Sequence, residues 1–334
     1  MTNNFSNKRN MSIDFIKGIA IFTVVLGHCW LLDKEIFNFI YAFHMPLFFC
    51  ISGYLFSTRK QYKDFLVGKF KNLIMPYIVF FIFSYIISIT ILQRDISIAD
   101  GLKYMLLGGK HLTYVANWAL WYLQLFFIAS NIFYFIAKIK YAVIRFIIMA
   151  GLLIASLPIQ QWCNNTFDNE YVPFALNALC PALFFMLVAF EFKQIKEIFI
   201  QKFNNTKTNK MVPVVSFGLF VLGILLAAGN DEQIINIQSY TFFIYSLFIL
   251  QFIVLSCQNC NNKYIVYMGK NSLIILGLHR TLLVLCSNVL QIKDFFDYFN
   301  MTNFAGAFLI SCLCIVAICL VNYLVETVAK KLKE

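Results

Sequence analysis

Proton transfer near neutral pH is the natural work of histidine, whose unperturbed pKa is about 6.5, and the chain has four: His28, His44, His111 and His279. Three of these lie in apolar stretches, where ionisable side chains are rare and mark a functional site by default. His28 stands eleven residues after Lys17. At about 100° per residue that is three helical turns plus roughly 20°, so the two share one face, about 16 Å apart along the axis. Asp14, three residues before Lys17, can pair with it. The structural alternative is a snorkelling Lys and a packed His. His44 lies two residues before Pro46, which removes a backbone donor and frees a carbonyl. Ser52-Gly53 adds a second weak point in the same stretch. His44 reads equally as a reacting group or as a ring bonded to that loosened carbonyl. Arg280 follows His279 directly, and a basic residue at mid-bilayer costs about 2.5–3.5 kcal/mol, so it normally faces a cavity or a partner. Asn117, Trp121 and Gln124 recur at i, i+4 and i+7, one helix face. A ring between two carboxamides is a surface that could hold a sugar, although an interfacial aromatic belt explains Trp118 and Trp121 without function. His111, in a loop, receives no assignment.

The elements that must position these residues are membrane helices. The 334 residues are 60% apolar, 18% aromatic and only 13% charged, against roughly 45–50% apolar and about 25% charged in a soluble domain. Mean hydropathy is +0.74. This excludes a soluble globular enzyme, a disordered chain and a secreted disulfide scaffold. About 20 mostly apolar residues cross a bilayer, and ten stretches qualify, near 13–32, 36–56, 73–93, 118–137, 142–159, 174–192, 211–229, 239–257, 271–290 and 304–325. The first is not expected to be a cleaved signal, because it carries Asp14, Lys17 and His28 and no small-residue cleavage site. The expected fold is an all-α polytopic membrane protein, a single domain over 1–334 with short tails at about 1–12 and 326–334. Whether the helix bearing Arg280 begins near 271 or earlier, near Tyr264, is open, and with it the depth of Arg280.

Charge sets the expected orientation. Twenty Lys and Arg residues fall in one alternate set of spacers and tails, while only Lys34, Arg94, Lys103, Lys110 and Lys293 fall in the other. The positive-inside rule then makes both termini cytoplasmic. The outer loops carry Asp168, Glu170, Asp231, Glu232, Asp294 and Asp297. The net charge of +11 is therefore a topology signal and not a nucleic-acid surface. Most of the ten cysteines lie in apolar runs, where Cys behaves as a small hydrophobe. Cys257 and Cys260 form a lone C-x-x-C with no accompanying His cluster, so no metal is expected.

Five segments together resemble the membrane-bound acyltransferase-3 family, in its fucose 4-O-acetylase-related branch: IDFIKGIAIFTVVLGH (13–28), FHMPLFFCISGYLF (43–56), IMPY (74–77) with the basic stretch entering it, LWYL (120–123) and GKNSLIILGLH (269–279). The resemblance implies acyl transfer, with acetyl expected, from cytoplasmic acyl-CoA through the membrane to a hydroxyl of an envelope or surface glycan. It implies acetyl-CoA as donor substrate, no permanently bound cofactor, and the inner membrane of a bacterium. The family's first-helix His falls on His28. Its basic partner, usually Arg, falls on Lys17, and its Arg-rich segment after the second helix falls near Lys69 and Lys71. Lysine keeps the charge but loses the bidentate fork. Some relatives carry an added esterase-like domain, which is not expected here.

On that reading His28 either deprotonates the acceptor hydroxyl or carries the acyl group transiently. Lys17 orients the donor or offsets negative charge along its path, and His44 is a second catalytic candidate. Lys69, Lys71, Arg59 and Lys63 form a basic cluster suited to the CoA phosphates, a pattern that positive-inside bias also explains. Asn117, Trp121, Gln124, Ser52, His279, Arg280 and Asp14 are candidates for the acceptor site or its cavity. The rival class is a transporter or exporter whose intramembrane charges line a substrate path; it would not consume acyl-CoA.

Overall fold

The computed structural model describes residues 11–167, 171–202, 206–288 and 303–331. The tail residues 1–10 and 332–334, with Asp168, Glu170, Lys293, Asp294 and Asp297, lie outside them. The described chain is helical, with a single isolated bridge between Gln233 and Asn236. Helix α1 is Met11–Gly27 and α2 is Lys34–Tyr54. Helix α3 (Tyr62–Lys69), a π-helical turn (Phe70–Ile74) and α4 (Met75–Thr90) run on without a break, so the third apolar stretch begins a full eleven residues before 73. The long connector after it holds α5, Ile98–Leu107, whose first turn is capped by the Ser97 hydroxyl accepting from Asp100 N. Then follow α6 (Trp121–Lys138), α7 (Ala142–Thr166), α8 (Leu179–Lys202), α9 (Thr206–Ala228), α10 (Thr241–Ser256), α11 (Lys263–Lys270), α12 (Ser272–Asn288) and α13 (Asn303–Lys331).

Six of these segments are long and apolar enough to cross a bilayer: Lys34–Tyr54, Tyr62–Thr90, Trp118–Lys138, Ala142–Thr166, Pro173–Ile195 and Phe304–Val328. Val212–Ala228, Thr241–Ser256 and Ser272–Asn288 are apolar but shorter, and α1 has 17 residues. The molecule is thus a multi-pass membrane protein. Its outward face is hydrocarbon: Val143, Ile147 and Ile154 on α7 and Leu313, Leu320 and Leu324 on α13 are exposed. The interior is aromatic, with Phe49, Phe133, Tyr134, Phe185, Phe242 and Tyr245 buried.

Helix α2 is central, packed on α1, α8, α9 and α10. Glycines allow the tightest approaches. A Cβ on Gly53 would meet Met186 O at 1.9 Å, closing α2 on α8, and one on Gly269 would meet Asp14 O at 1.8 Å, closing α11 on α1. Prolines free carbonyls that neighbouring helices then satisfy, as membrane interiors require. The Ala42 carbonyl, four residues before Pro46, accepts from the Ser246 hydroxyl at 2.6 Å. The Ile154 carbonyl, four before Pro158, accepts from the Tyr240 hydroxyl at 2.8 Å.

Helix α12 begins at Ser272. Asn262 caps α11 through its side chain, and Asn271, with φ −101 and ψ 15, separates α11 from α12. Arg280 therefore sits midway along its helix, which answers the open boundary.

Candidate active site

His28 follows the last residue of α1, where helical carbonyls run out of backbone donors. His279 projects from the middle of α12, and the two rings meet: His28 Nδ1 and His279 Nε2 are 2.7 Å apart. The ring planes are inclined by only 6° with centroids 5.0 Å apart. Two imidazoles meeting edge to edge across that contact have this centroid spacing, so the rings are coplanar and the hydrogen bond lies in their common plane. His279 Nδ1 donates to the carbonyls of Ile275 and Leu276, at 2.9 and 3.0 Å. The neighbouring Arg280 reaches back and donates from Nη1 to the His28 carbonyl at 3.1 Å. That places a cation at the C-terminal end of α1, where the helix dipole favours it. Arg280 thus has a partner inside the bundle.

Two spaces adjoin this pair. A small cleft is lined by His28, Tyr41, His44, Met45 and Leu276. Beside it lies a cavity of ≈ 540 Å³ whose lining includes Lys110, Asn164, Asn177, Gln233, Asn236 and Arg280. Trp118, Trp121, Gln233 and Ile235 line both. The His28 and Trp118 ring centroids are 5.2 Å apart. A wall of carboxamides, two cations and two indoles offers donors, acceptors and flat apolar faces, the surfaces a saccharide presents in return. It occupies the end of the bundle that the charge asymmetry assigns to the outside.

His28 and His44 line the same cleft. His44 Nδ1 donates to Ile40 O at 2.8 Å. The carbonyl loosened by Pro46 is Ala42's, and Ser246 takes it, so His44 is bonded to a different carbonyl from the one the sequence pointed to. Trp121, His279 and Arg280 join the cluster. Asn117 and Gln124 depart from the expected stripe. Asn117, at φ −147 and ψ 61, precedes a 3-10 turn at Trp118–Leu120, which rotates it out of the α-helical register. Its Nδ2 donates to Ser84 Oγ and Gly277 O, both at 2.8 Å, and Ser84 Oγ is 2.8 Å from Thr281 Oγ1. This buried knot ties α4 and α12 to the segment that leads into α6. Gln124 turns to α5 and donates to Met105 O at 3.2 Å. Ser52 donates to Phe48 O within its own helix.

Lys17 and Asp14 lie elsewhere, 4.0 Å apart, with the carboxylate buried. Arg59, Lys63 and Lys71 are exposed. The Lys69 ammonium sits 4.4 Å from the centroid of Phe126 and 5.5 Å from that of Phe65, a cation–π contact. Arg145, one of the twenty spacer charges counted above, is buried in a bidentate ion pair with Glu191 and also donates to Ile139 O. His111, in the connector, stacks on Tyr104; burial and the Lys103 ammonium hold its pKa below the ordinary histidine range.

Sequence reasoning missed the amides that roof the cavity, Asn164, Asn177, Gln233 and Asn236, and the buried groups that brace their segments. Buried Gln160 accepts from Ile237 N at 2.6 Å and donates to Ile234 O at 3.2 Å. Asn177 donates to Ile235 O at 2.8 Å. Glu232 accepts from the backbone of Gln238 and Ser239 and from the Tyr245 hydroxyl. The signal was the run of amides in QQWCNN (160–165) at the end of an apolar stretch.

A family model described as an acyltransferase domain matches residues 10–323. The nodulation protein NolL of Mesorhizobium japonicum is 43% identical over 75 aligned positions, covering 19% of this chain and 20% of the relative. The nodulation protein NolL of Sinorhizobium fredii is 47% identical over 64 positions, covering 16% of this chain and 17% of the relative. The chain thus spans about a fifth of the length of these curated relatives. No solved structure matches it.

Proposed function

The chain belongs to this acyltransferase family, and from that premise we propose that it moves an acyl group, acetyl in the first instance, from cytoplasmic acyl-CoA to a hydroxyl of an envelope or surface glycan. It does so in a bacterial inner membrane, with ten spans and both termini cytoplasmic. The observation that carries the reading is the position of His28: its ring lines a cleft that shares two indoles with the polar ≈ 540 Å³ cavity. The acceptor occupies the cavity. As its hydroxyl oxygen attacks the thioester carbonyl carbon, the hydroxyl proton passes to His28, the C–S bond breaks and the CoA thiolate leaves, to be protonated in turn. In the other form of the mechanism His28 takes the acyl group first and hands it to the hydroxyl.

The Arg280 guanidinium supports the site by fixing the end of α1 and by offsetting negative charge that develops on the attacked carbonyl oxygen. Lys17, with Asp14, lies on the donor's path. Arg59, Lys63, Lys69 and Lys71 hold the CoA phosphates. His44, Trp121 and the roof amides bound the acceptor side. The purified protein in proteoliposomes, given radiolabelled acetyl-CoA and a panel of glycans, is expected to label at least one of them. An exporter of glycans would move sugar without consuming acetyl-CoA, and that result would overturn the proposal.

A further inference from the structure

We propose that His279 is a positioning residue that sets the tautomer of His28, holding its proton on Nδ1 and leaving Nε2 as the bare nitrogen available to the acceptor. The proposal rests on His28 being the reacting base. It follows from which atoms can donate. Carbonyl oxygens only accept, so the His279 nitrogen bonded to Ile275 O and Leu276 O, its Nδ1, carries a hydrogen. A neutral imidazole has one N–H, so His279 Nε2 is a lone pair. The atom facing it at 2.7 Å, His28 Nδ1, must then be the donor. The opposite His28 tautomer would set two lone pairs against each other at that distance. His28 Nε2 has no hydrogen-bond partner among the described residues, and the ring lines the cleft.

The neutral state of His279 has an electrostatic reason. A second proton on it would create an imidazolium beside the Arg280 guanidinium, and no carboxylate is among the described residues lining the cleft or the cavity. The nearby Glu232 is occupied by two backbone N–H groups and the Tyr245 hydroxyl. Like charges brought together away from water disfavour ionisation.

The coplanar geometry serves the chemistry. The in-plane lone pair of His279 lies on the line of the His28 N–H, so the bond fixes ring rotation as well as protonation. When His28 Nε2 accepts the hydroxyl proton, the ring becomes cationic and the bond to His279 becomes charge-assisted, hence stronger. In serine hydrolases a buried carboxylate does this work, and a wrong tautomer there lowers kcat about 10⁴-fold. Here a second histidine anchored to helix carbonyls orients the first without burying an anion in the bilayer.

With four histidines in the chain, ¹⁵N NMR of histidine-labelled full-length protein in detergent resolves each ring, assigned by single substitutions. The expected spectrum has His28 protonated at Nδ1 and bare at Nε2. His279→Gln places a carboxamide oxygen where Nε2 stood, so it should keep the His28 tautomer and retain turnover within about tenfold of wild type. His279→Leu has no acceptor; His28 should then redistribute its proton, and kcat should fall about 10²–10⁴-fold with the KM for acetyl-CoA unchanged. Finding the His28 proton on Nε2 in the wild-type protein overturns the proposal, and so does equal loss of turnover in the Gln and Leu variants with an unchanged His28 spectrum. If wild-type protein transfers no acyl group, the acyltransferase reading falls by itself, while the spectrum still decides the tautomer.

Discussion

His28 is where a local pattern and a distant contact meet. Its helix supplies the depth and direction of the ring, while α12 supplies the hydrogen-bond acceptor that aligns it. If the ring takes the hydroxyl proton, His28→Ala should lower transfer by at least the 10²–10⁴-fold that general-base assistance contributes, with membrane abundance near that of wild type. His28→Gln keeps much of the size and hydrogen bonding but cannot take a proton at neutral pH. Both variants should fail alike in acetyl transfer while retaining donor binding. Near-normal turnover of the Gln variant would move proton transfer to His44, whose ring borders the same cleft.

Helices in this bundle are joined at points where side chains are missing or backbone donors are absent. The Ser246 hydroxyl replaces the donor that Pro46 lacks, in a region where both Ser246 and Ala42 are buried. Ser246→Ala should leave that carbonyl unsatisfied and cost about 1–3 kcal/mol, seen as a lower unfolding temperature in detergent. The glycine contacts make a paired prediction. Gly53→Ala drives a methyl into Met186 O, 1.9 Å from the ideal Cβ position, and overpacking of this kind costs about 1–3 kcal/mol. Gly151→Ala on α7 meets nothing within 4 Å and should be neutral or gain up to about 1 kcal/mol of helix propensity. Equal melting of the two variants would show that α2 and α8 separate freely. The Arg145–Glu191 pair ties α7 to α8 in the same sense, with both partners buried.

The whole molecule sorts its connectors into two ends. Lys34 lies 4.0 Å from Asp231, Arg94 donates to Thr113 O and Tyr114 O, and the Tyr114 and Tyr171 hydroxyls meet at 3.0 Å. At the other end Tyr134 donates to Lys60 O and the Lys193 ammonium lies over Tyr54. These groups match the two sets distinguished by positive charge. With native cysteines replaced, an impermeant thiol reagent applied outside should modify Asp231→Cys and spare Lys60→Cys. The reverse pattern would place the cavity on the cytoplasmic side and remove the basis for an external acceptor. Across the molecule from that cavity, joint neutralisation of Lys69 and Lys71 should raise the KM for acetyl-CoA more than that for the glycan. In the wild-type enzyme the same KM should rise with salt, because exposed charge interactions are screened over about 8–10 Å at physiological ionic strength. An unchanged donor KM would leave these lysines a topology signal, Lys69 being held over Phe126.

What the sequence determined by itself was everything carried by neighbours in the chain. Apolar composition marks a multi-pass helical membrane protein, with six described segments long and apolar enough to cross a bilayer, because hydropathy is a local property. Local reasoning failed where the backbone left the ideal period. One 3-10 turn before α6 was enough to send Asn117 and Gln124 to different helices. It failed also for Arg145, whose partner Glu191 is 46 residues away. Only the tertiary structure decided that His28 meets His279 across 251 residues, that Arg280 closes the end of α1, and that Asn164 and Asn177 line one cavity. Such pairings depend on which helix faces pack together, and no residue's neighbours along the chain contain that information.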